Sequence, residues 1–174
     1  MSEALTLIGH PRAGSRTGAL ARAVATAIGG SVPGLDEWRT LELAEVVQVR
    51  IAGQPDDRPT PPATGDDPFT LVKSARLVVV ATPSFKGTYT GLLKAFIDLL
   101  PPGHLGETVV VPIAVAGSDA HVQSTSDTLR AVLVEVGATV PVVLGVPESA
   151  LAESDAIAQK FVADRAAEIA RALA

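Results

Sequence analysis

Arg76-Leu77-Val78-Val79-Val80-Ala81, running on into Thr82-Pro83-Ser84, is the stretch that decides the fold. Its apolar residues are continuous and mostly β-branched, with no polar side chain at alternate positions. A strand with one wet face alternates, whereas one covered on both faces does not, and the latter is what a parallel sheet demands. Thr108 to Ala116 repeats the pattern, and Ala4 to Ile8 gives a first strand that ends at Gly9. Val140 to Leu144 reads as the last strand, and Leu35 to Trp38 as a weakly marked second one. Helical spacing fills the intervals. Leu20, Ala21, Val24, Ala25 and Ile28 recur in a helix starting near Ser15, and further helices are expected at 90–100, 121–136 and 154–173. Residues 53–68 hold five prolines and are expected as loop.

Five strands alternating with helices specify one three-layer α/β domain over residues 1–174. Ligands of such domains sit beyond the carboxyl ends of the strands. Function is therefore sought in the loops after the first, third and fourth strands.

Composition narrows the classes. The 174 residues are 47% hydrophobic and 19% charged, which argues for a packed domain over a disordered chain. The absence of cysteine removes disulfides, thiolate metal sites and cysteine nucleophiles. A formal charge of −5 without a basic run argues against a nucleic-acid surface. The chain enters its first strand without a charged start and long apolar stretch, and no apolar run approaches a membrane span. A soluble, cytoplasmic protein with no membrane partner is expected.

The first loop reads Gly9-His10-Pro11-Arg12-Ala13-Gly14-Ser15-Arg16-Thr17-Gly18. A helix start offers free N–H groups and partial positive charge, which suit a phosphate. Ser15 and Thr17 add hydroxyls, and Arg12 and Arg16 add charge-assisted donors. The dinucleotide fingerprint fails because position 11 is proline, and the nucleotide-triphosphatase loop fails because Ser15 stands where its lysine is required. The plainer reading is a serine helix cap beside solvated arginines; the convergence of two arginines and two hydroxyls favours phosphate.

After the third strand, Thr82-Pro83-Ser84-Phe85-Lys86-Gly87-Thr88-Tyr89-Thr90 joins an aromatic to small polar residues. That composition suits the wall of a planar ligand and an ordinary turn equally. After the fourth, Gly117-Ser118-Asp119-Ala120-His121 allows close backbone approach. Asp119 or Ser118 would cap the next helix, and His121 is open to either a ligand contact or a structural role. The helix from Gly91 to Leu100 is apolar almost all round, which points to a partner subunit and hence a homo-oligomer. Lys94 and Asp98 form a helical pair that reads as solvated or as part of an interface, not as acid–base catalysts. The three histidines have no metal-ligand spacing, and no G-x-S-x-G elbow marks a triad hydrolase.

With these loops in place the chain resembles the NADPH-dependent FMN reductase family, closest to the reductase components of two-component alkanesulfonate monooxygenase systems. That family's G-S-P-R-x-x-S-x-[ST] motif is met by Gly9, Pro11, Arg12, Ser15 and Thr17. Its T-P-x-Y-x-x-x-Y-[ST]-G-x-L-K motif is met by Thr82, Pro83, Lys86, Tyr89, Thr90, Gly91, Leu93 and Lys94. His10 departs from the usual Ser, Phe85 from Tyr, and Ala116 from Gly.

The resemblance implies a flavodoxin-like sandwich with strand order 2-1-3-4-5 and helices on both faces. It places the FMN phosphate on Arg12, Ser15, Arg16 and Thr17, and the isoalloxazine against Pro83, Ser84, Phe85 and Lys86. Gly117, Ser118 and His121 would lie on another side. It further implies hydride transfer from NADPH or NADH to FMN, a homodimer or homotetramer, and a flavin-dependent monooxygenase as recipient. No catalytic side chain is required, because the cofactors carry the chemistry. The competing expectations are an FMN-retaining quinone, azo or chromate reductase and a non-catalytic flavodoxin-like electron carrier.

Overall fold

The computed structural model describes residues 4–35, 37–49 and 67–174. Most of the proline-rich stretch at 53–68 lies outside them. Five strands, β1 (Ala4–Ile8), β2 (Trp38–Glu42), β3 (Leu77–Pro83), β4 (Val109–Ala116) and β5 (Leu144–Pro147), form one sheet. Every pairing is parallel, and the order is β2-β1-β3-β4-β5. This is the order the resemblance implied.

The side chains of β3 divide by parity, as a pleated strand requires. Leu77, Val79 and Ala81 join one core with helices α1 (Arg16–Gly29) and α6 (Ser154–Leu173). Val78 and Val80 join a second core on the other face. That face is covered by α3 (Pro68–Ser74), α4 (Gly91–Ile97) and α5 (Asp119–Glu135), with the short helix α2 (Leu43–Val46) near α4. Each fully buried Leu, Val, Ile or Phe contributes about 1.5–3 kcal/mol. Burial on both faces therefore fixes the register and holds the loops at the carboxyl ends in place.

Three boundaries differ from the sequence expectation. The second strand is Trp38–Glu42, not Leu35–Trp38. Leu35 is buried beneath α1, and its carbonyl accepts a 3.0 Å bond from Trp38 Nε1; pairing with β1 begins only at Trp38. The last strand is Leu144–Pro147, not Val140–Leu144. Val140 and Val142 are buried but belong to opposite cores, and Pro141 has no N–H for a ladder. Apolar residues there marked burial and not pairing. Finally, the fourth helix stops at Ile97, leaving Leu99 69% exposed.

Helix α3 went unforeseen. Asp67 caps it by accepting from the Thr70 N–H, and Pro68 occupies the first turn. Phe69 then stacks on Phe96 of α4 with centroids 5.1 Å apart.

Candidate functional site

A cavity of about 470 Å³ opens at the carboxyl ends of the strands. Residues 10–17 form one wall, Pro83, Ser84 and Phe85 a second, and Val115, Ala116 and Gly117, at the carboxyl end of β4, a third. Glu148 and Leu151, in the 3-10 turn that follows β5, close the remaining side.

The first wall turns directly from β1 into α1. Gly9 is required at the turn because a Cβ there would lie 2.9 Å from the Leu93 Cβ of α4. Ser15 is the helix cap, its hydroxyl oxygen accepting from the Gly18 N–H at 3.1 Å. That leaves the N–H groups of Arg16 and Thr17 without intrahelical partners at the positive end of a 14-residue helix. Thr17 is only 3% exposed, lines the cavity, and forms no side-chain hydrogen bond among the described residues. The Arg12 side chain has no ion-pair partner among them either, and it is exposed at the cavity rim. Unengaged N–H groups, a hydroxyl and a guanidinium make a donor set suited to a phosphate monoester.

Other groups in and beside this loop are engaged. Gly14 N–H donates to Glu42 Oε2 at 3.0 Å, while Arg22 Nη1 donates to Glu42 Oε1 at 2.9 Å. Arg16 Nη2 donates to Glu148 Oε1 at 2.5 Å. His10 Nδ1 accepts from the Arg12 N–H at 3.0 Å. Burial, aided by the Arg12 charge, lowers the His10 pKa against the opposing pull of the Arg12 carbonyl and Glu42. The imidazole is thus held toward its neutral form.

The second wall is uncharged where it meets the cavity. Ser84 N–H donates to Val115 O at 2.7 Å, continuing the sheet past Pro83. Phe85 and Thr88 then bridge across a two-residue turn in which Lys86 and Gly87 both have positive φ, 58° and 82°. That pattern matches a type I′ hairpin turn, which glycine accommodates best at its second position. Ser124 donates to the Gly87 carbonyl, and Thr125 donates to Ser84 Oγ at 2.8 Å, so α5 clamps the turn. Phe85 remains 49% exposed. A half-exposed aromatic beside backbone and small residues suits a flat ring system.

Of the residues singled out in sequence, Arg12, Ser15, Arg16, Thr17, Pro83, Ser84, Phe85 and Gly117 meet at this cavity. Lys86, Ser118 and His121 do not line it. Lys86 sits in the hairpin turn, and Ser118 caps α5 by accepting from the His121 N–H at 3.4 Å. His121 lies against the Gly87 turn, where a Cβ on Gly87 would be 3.7 Å from its ring. Asp119 is the first residue of that helix and not its cap. Glu42, Glu148 and Leu151 were not anticipated. Glu148 directly follows β5 as observed, but the sequence expectation ended that strand at Leu144 and so gave no signal for it.

A flavodoxin-like α/β sheet with a phosphate-type donor loop at the β1–α1 turn defines the class. The family model for NADPH-dependent FMN reductase matches residues 3–149, and the chain belongs to that family. Among relatives, the NADH-dependent FMN reductase SfnF of Pseudomonas fluorescens is 32% identical over 116 residues, covering 67% of this chain and 60% of the relative. The FMN reductase (NADPH) of Escherichia coli is 43% identical over 56 residues, covering 32% and 29%. The matches thus span less than two-thirds of these relatives' length. Among solved structures, the apo form of the NADH:FMN oxidoreductase EmoB superposes with a TM-score of 0.72 at 23% identity, covering 99% of this chain and 89% of that one. A flavodoxin from Streptococcus pneumoniae superposes at 0.57 and 16% identity, covering 92% and 99%. At those identities the structures speak for the fold.

Proposed function

We propose that this chain is an NAD(P)H-dependent FMN reductase, which passes a hydride from NADPH or NADH to FMN held in the carboxyl-end cavity. The observation that carries the reading is the donor set at the start of α1: among the described residues, the Arg12 side chain, the Thr17 hydroxyl and the N–H groups of Arg16 and Thr17 have no partners, and they open on one cavity. When bound, FMN supplies the hydride acceptor, and NAD(P)H + H⁺ + FMN gives NAD(P)⁺ + FMNH₂.

The chain's own residues bind and orient. Arg12, Arg16, Ser15 and Thr17 take the phosphate, and Pro83, Ser84 and Phe85 back the ring, with Gly117 opposite. No side chain is assigned as acid or base, because donor and acceptor are both cofactors. Lys86, Ser118 and His121 are assigned a supporting part, holding the hairpin and the head of α5 that clamps it. SfnF is named for NADH and the E. coli relative for NADPH, so both donors belong in the test.

We further place the exposed Leu99 and half-buried Leu92 of the α4 region at a contact between copies, giving a homodimer or homotetramer. Reduced flavin would pass to a flavin-dependent monooxygenase in the cytoplasm, where NAD(P)H is available. Among the described residues no helix is long and apolar enough to cross a membrane.

The experiment is steady-state NADPH and NADH oxidation by flavin-stripped protein, with FMN or a quinone added. Oxidation that saturates with FMN is expected. Oxidation that needs retained flavin and a quinone would replace this reading with that of a flavin-retaining reductase. Folded protein silent with both would remove it.

A further inference from the structure

The two acidic residues bordering the phosphate loop are neutralised in different ways. Glu42, whose side chain is 11% exposed, is committed to the Gly14 N–H and to Arg22, so its charge has a cation of its own outside the cavity. Glu148 lines the cavity, and among the described residues it pairs with Arg16, one of the two arginines assigned to the phosphate. Both side chains of that pair are more than half exposed, 66% and 55%. An isolated exposed pair of this kind adds little to folding stability. Its placement matters for another reason: a carboxylate holds a cation that an incoming dianion needs.

We infer that Glu148 is a positioning residue that weakens the grip of this site on phosphorylated flavin and keeps FMN exchangeable. The inference rests on the reading that residues 12–17 take the phosphate. Arg16 serves a phosphate only by sharing its guanidinium with Glu148 or by leaving it. Meanwhile the carboxylate stands as a like charge near the phosphate, an interaction that salt screens. Arg12, with no ion-pair partner among the described residues, is the permanent phosphate cation; Arg16 is the negotiable one. A flavin without phosphate meets neither effect, so Glu148 acts on FMN and spares riboflavin. Glu148 touches no reacting atom, and its influence is on binding and release.

The test is equilibrium titration of flavin-stripped wild type, Glu148→Gln and Glu148→Ala with FMN and with riboflavin, read by flavin fluorescence at low and high salt. Both variants are expected to bind FMN about fivefold to tenfold more tightly at low salt, with a smaller gain at high salt. Riboflavin affinity is expected to change by less than about twofold, because a neutral tail feels no charge at this distance from the ring. Arg16→Ala should weaken FMN binding more in the Glu148→Gln background than in wild type, since only there is the guanidinium fully available. FMN affinity unchanged or weakened in both variants, with wild type still preferring FMN to riboflavin, overturns the role of Glu148 and leaves the phosphate reading standing. Wild type with no preference for FMN over riboflavin overturns both.

Discussion

Residues 9–17 and residues 82–90 supply two walls of one cavity, and their hydrogen bonds are arranged to opposite ends. In the second segment the threonine and serine hydroxyls bond within the protein itself. Thr90 Oγ1 donates to Gly9 O at 2.6 Å and accepts from the Leu93 N–H, while Thr90 N–H donates to Thr82 Oγ1 at 3.2 Å. Phe85 and Thr88 close the hairpin, and α5 bonds to it through Ser124 and Thr125. In the first segment, the Arg12 side chain, the Thr17 hydroxyl and two first-turn N–H groups have no partner among the described residues, and Arg16 pairs with a surface glutamate. One wall is finished without ligand; on the proposed reading, the other is finished by it. Mutations should therefore cost stability in the second and affinity in the first.

The largest effect is expected from Thr90→Val, which keeps the shape but strands the Gly9 carbonyl and the Leu93 N–H in a site 1% exposed. Leaving buried partners unpaired and removing a helix cap should cost about 2–4 kcal/mol in urea unfolding. Thr90→Ser should recover most of it. A loss confined to flavin binding would break the comparison.

Arg12→Ala comes next and should act in reverse. Removing one charge-assisted phosphate contact should weaken FMN binding about tenfold, with riboflavin affinity and urea stability unchanged. An equal loss for both flavins would place Arg12 on the ring side.

Ser15→Ala straddles the two classes. The lost bond to the Gly18 N–H should destabilise the fold by about 1 kcal/mol, and the same change removes a hydroxyl from the cavity. If FMN binding fell while stability held, the serine would be a ligand contact and not a cap.

The smallest effect concerns His10. Its folded pKa lies below the ordinary 6.5, chiefly through burial. The unfolded chain therefore binds a proton first as pH falls, so this residue's contribution is intact above the unfolded value and is lost as pH drops through the folded one. The melting temperature of wild type should fall slightly more between about pH 7 and about pH 5 than that of His10→Asn. Parallel curves would show that the ring is insensitive to its setting.

How much of this was legible in sequence follows from the same contrast. The apolar runs of β1, β3 and β4 could be read because burial on both faces leaves no alternative residue types. β2, at the sheet edge with Arg39 and Thr40 exposed, carries no such signature and was misplaced. β5 was misplaced for the opposite reason: Val140 and Val142 are buried without pairing. The Asp67-Pro68 start of α3 was visible but was absorbed into a proline-rich loop. In the site, residues local to one strand–helix turn, such as Arg12 and Thr17, could be grouped by spacing. Glu148 reaches Arg16 across 132 positions, and only topology joins them. His121 illustrates the converse, since the right loop placed its side chain against the hairpin and not in the cavity.

The most direct measurement is anaerobic addition of NADPH, then NADH, to a catalytic amount of flavin-stripped protein with excess FMN, followed by flavin absorbance. Bleaching of many equivalents of FMN per protein, well above the rate without protein and reduced in Arg12→Ala at limiting FMN, is the predicted result. Bleaching no faster than the protein-free control with either nucleotide would contradict the assignment of this cavity to flavin reduction.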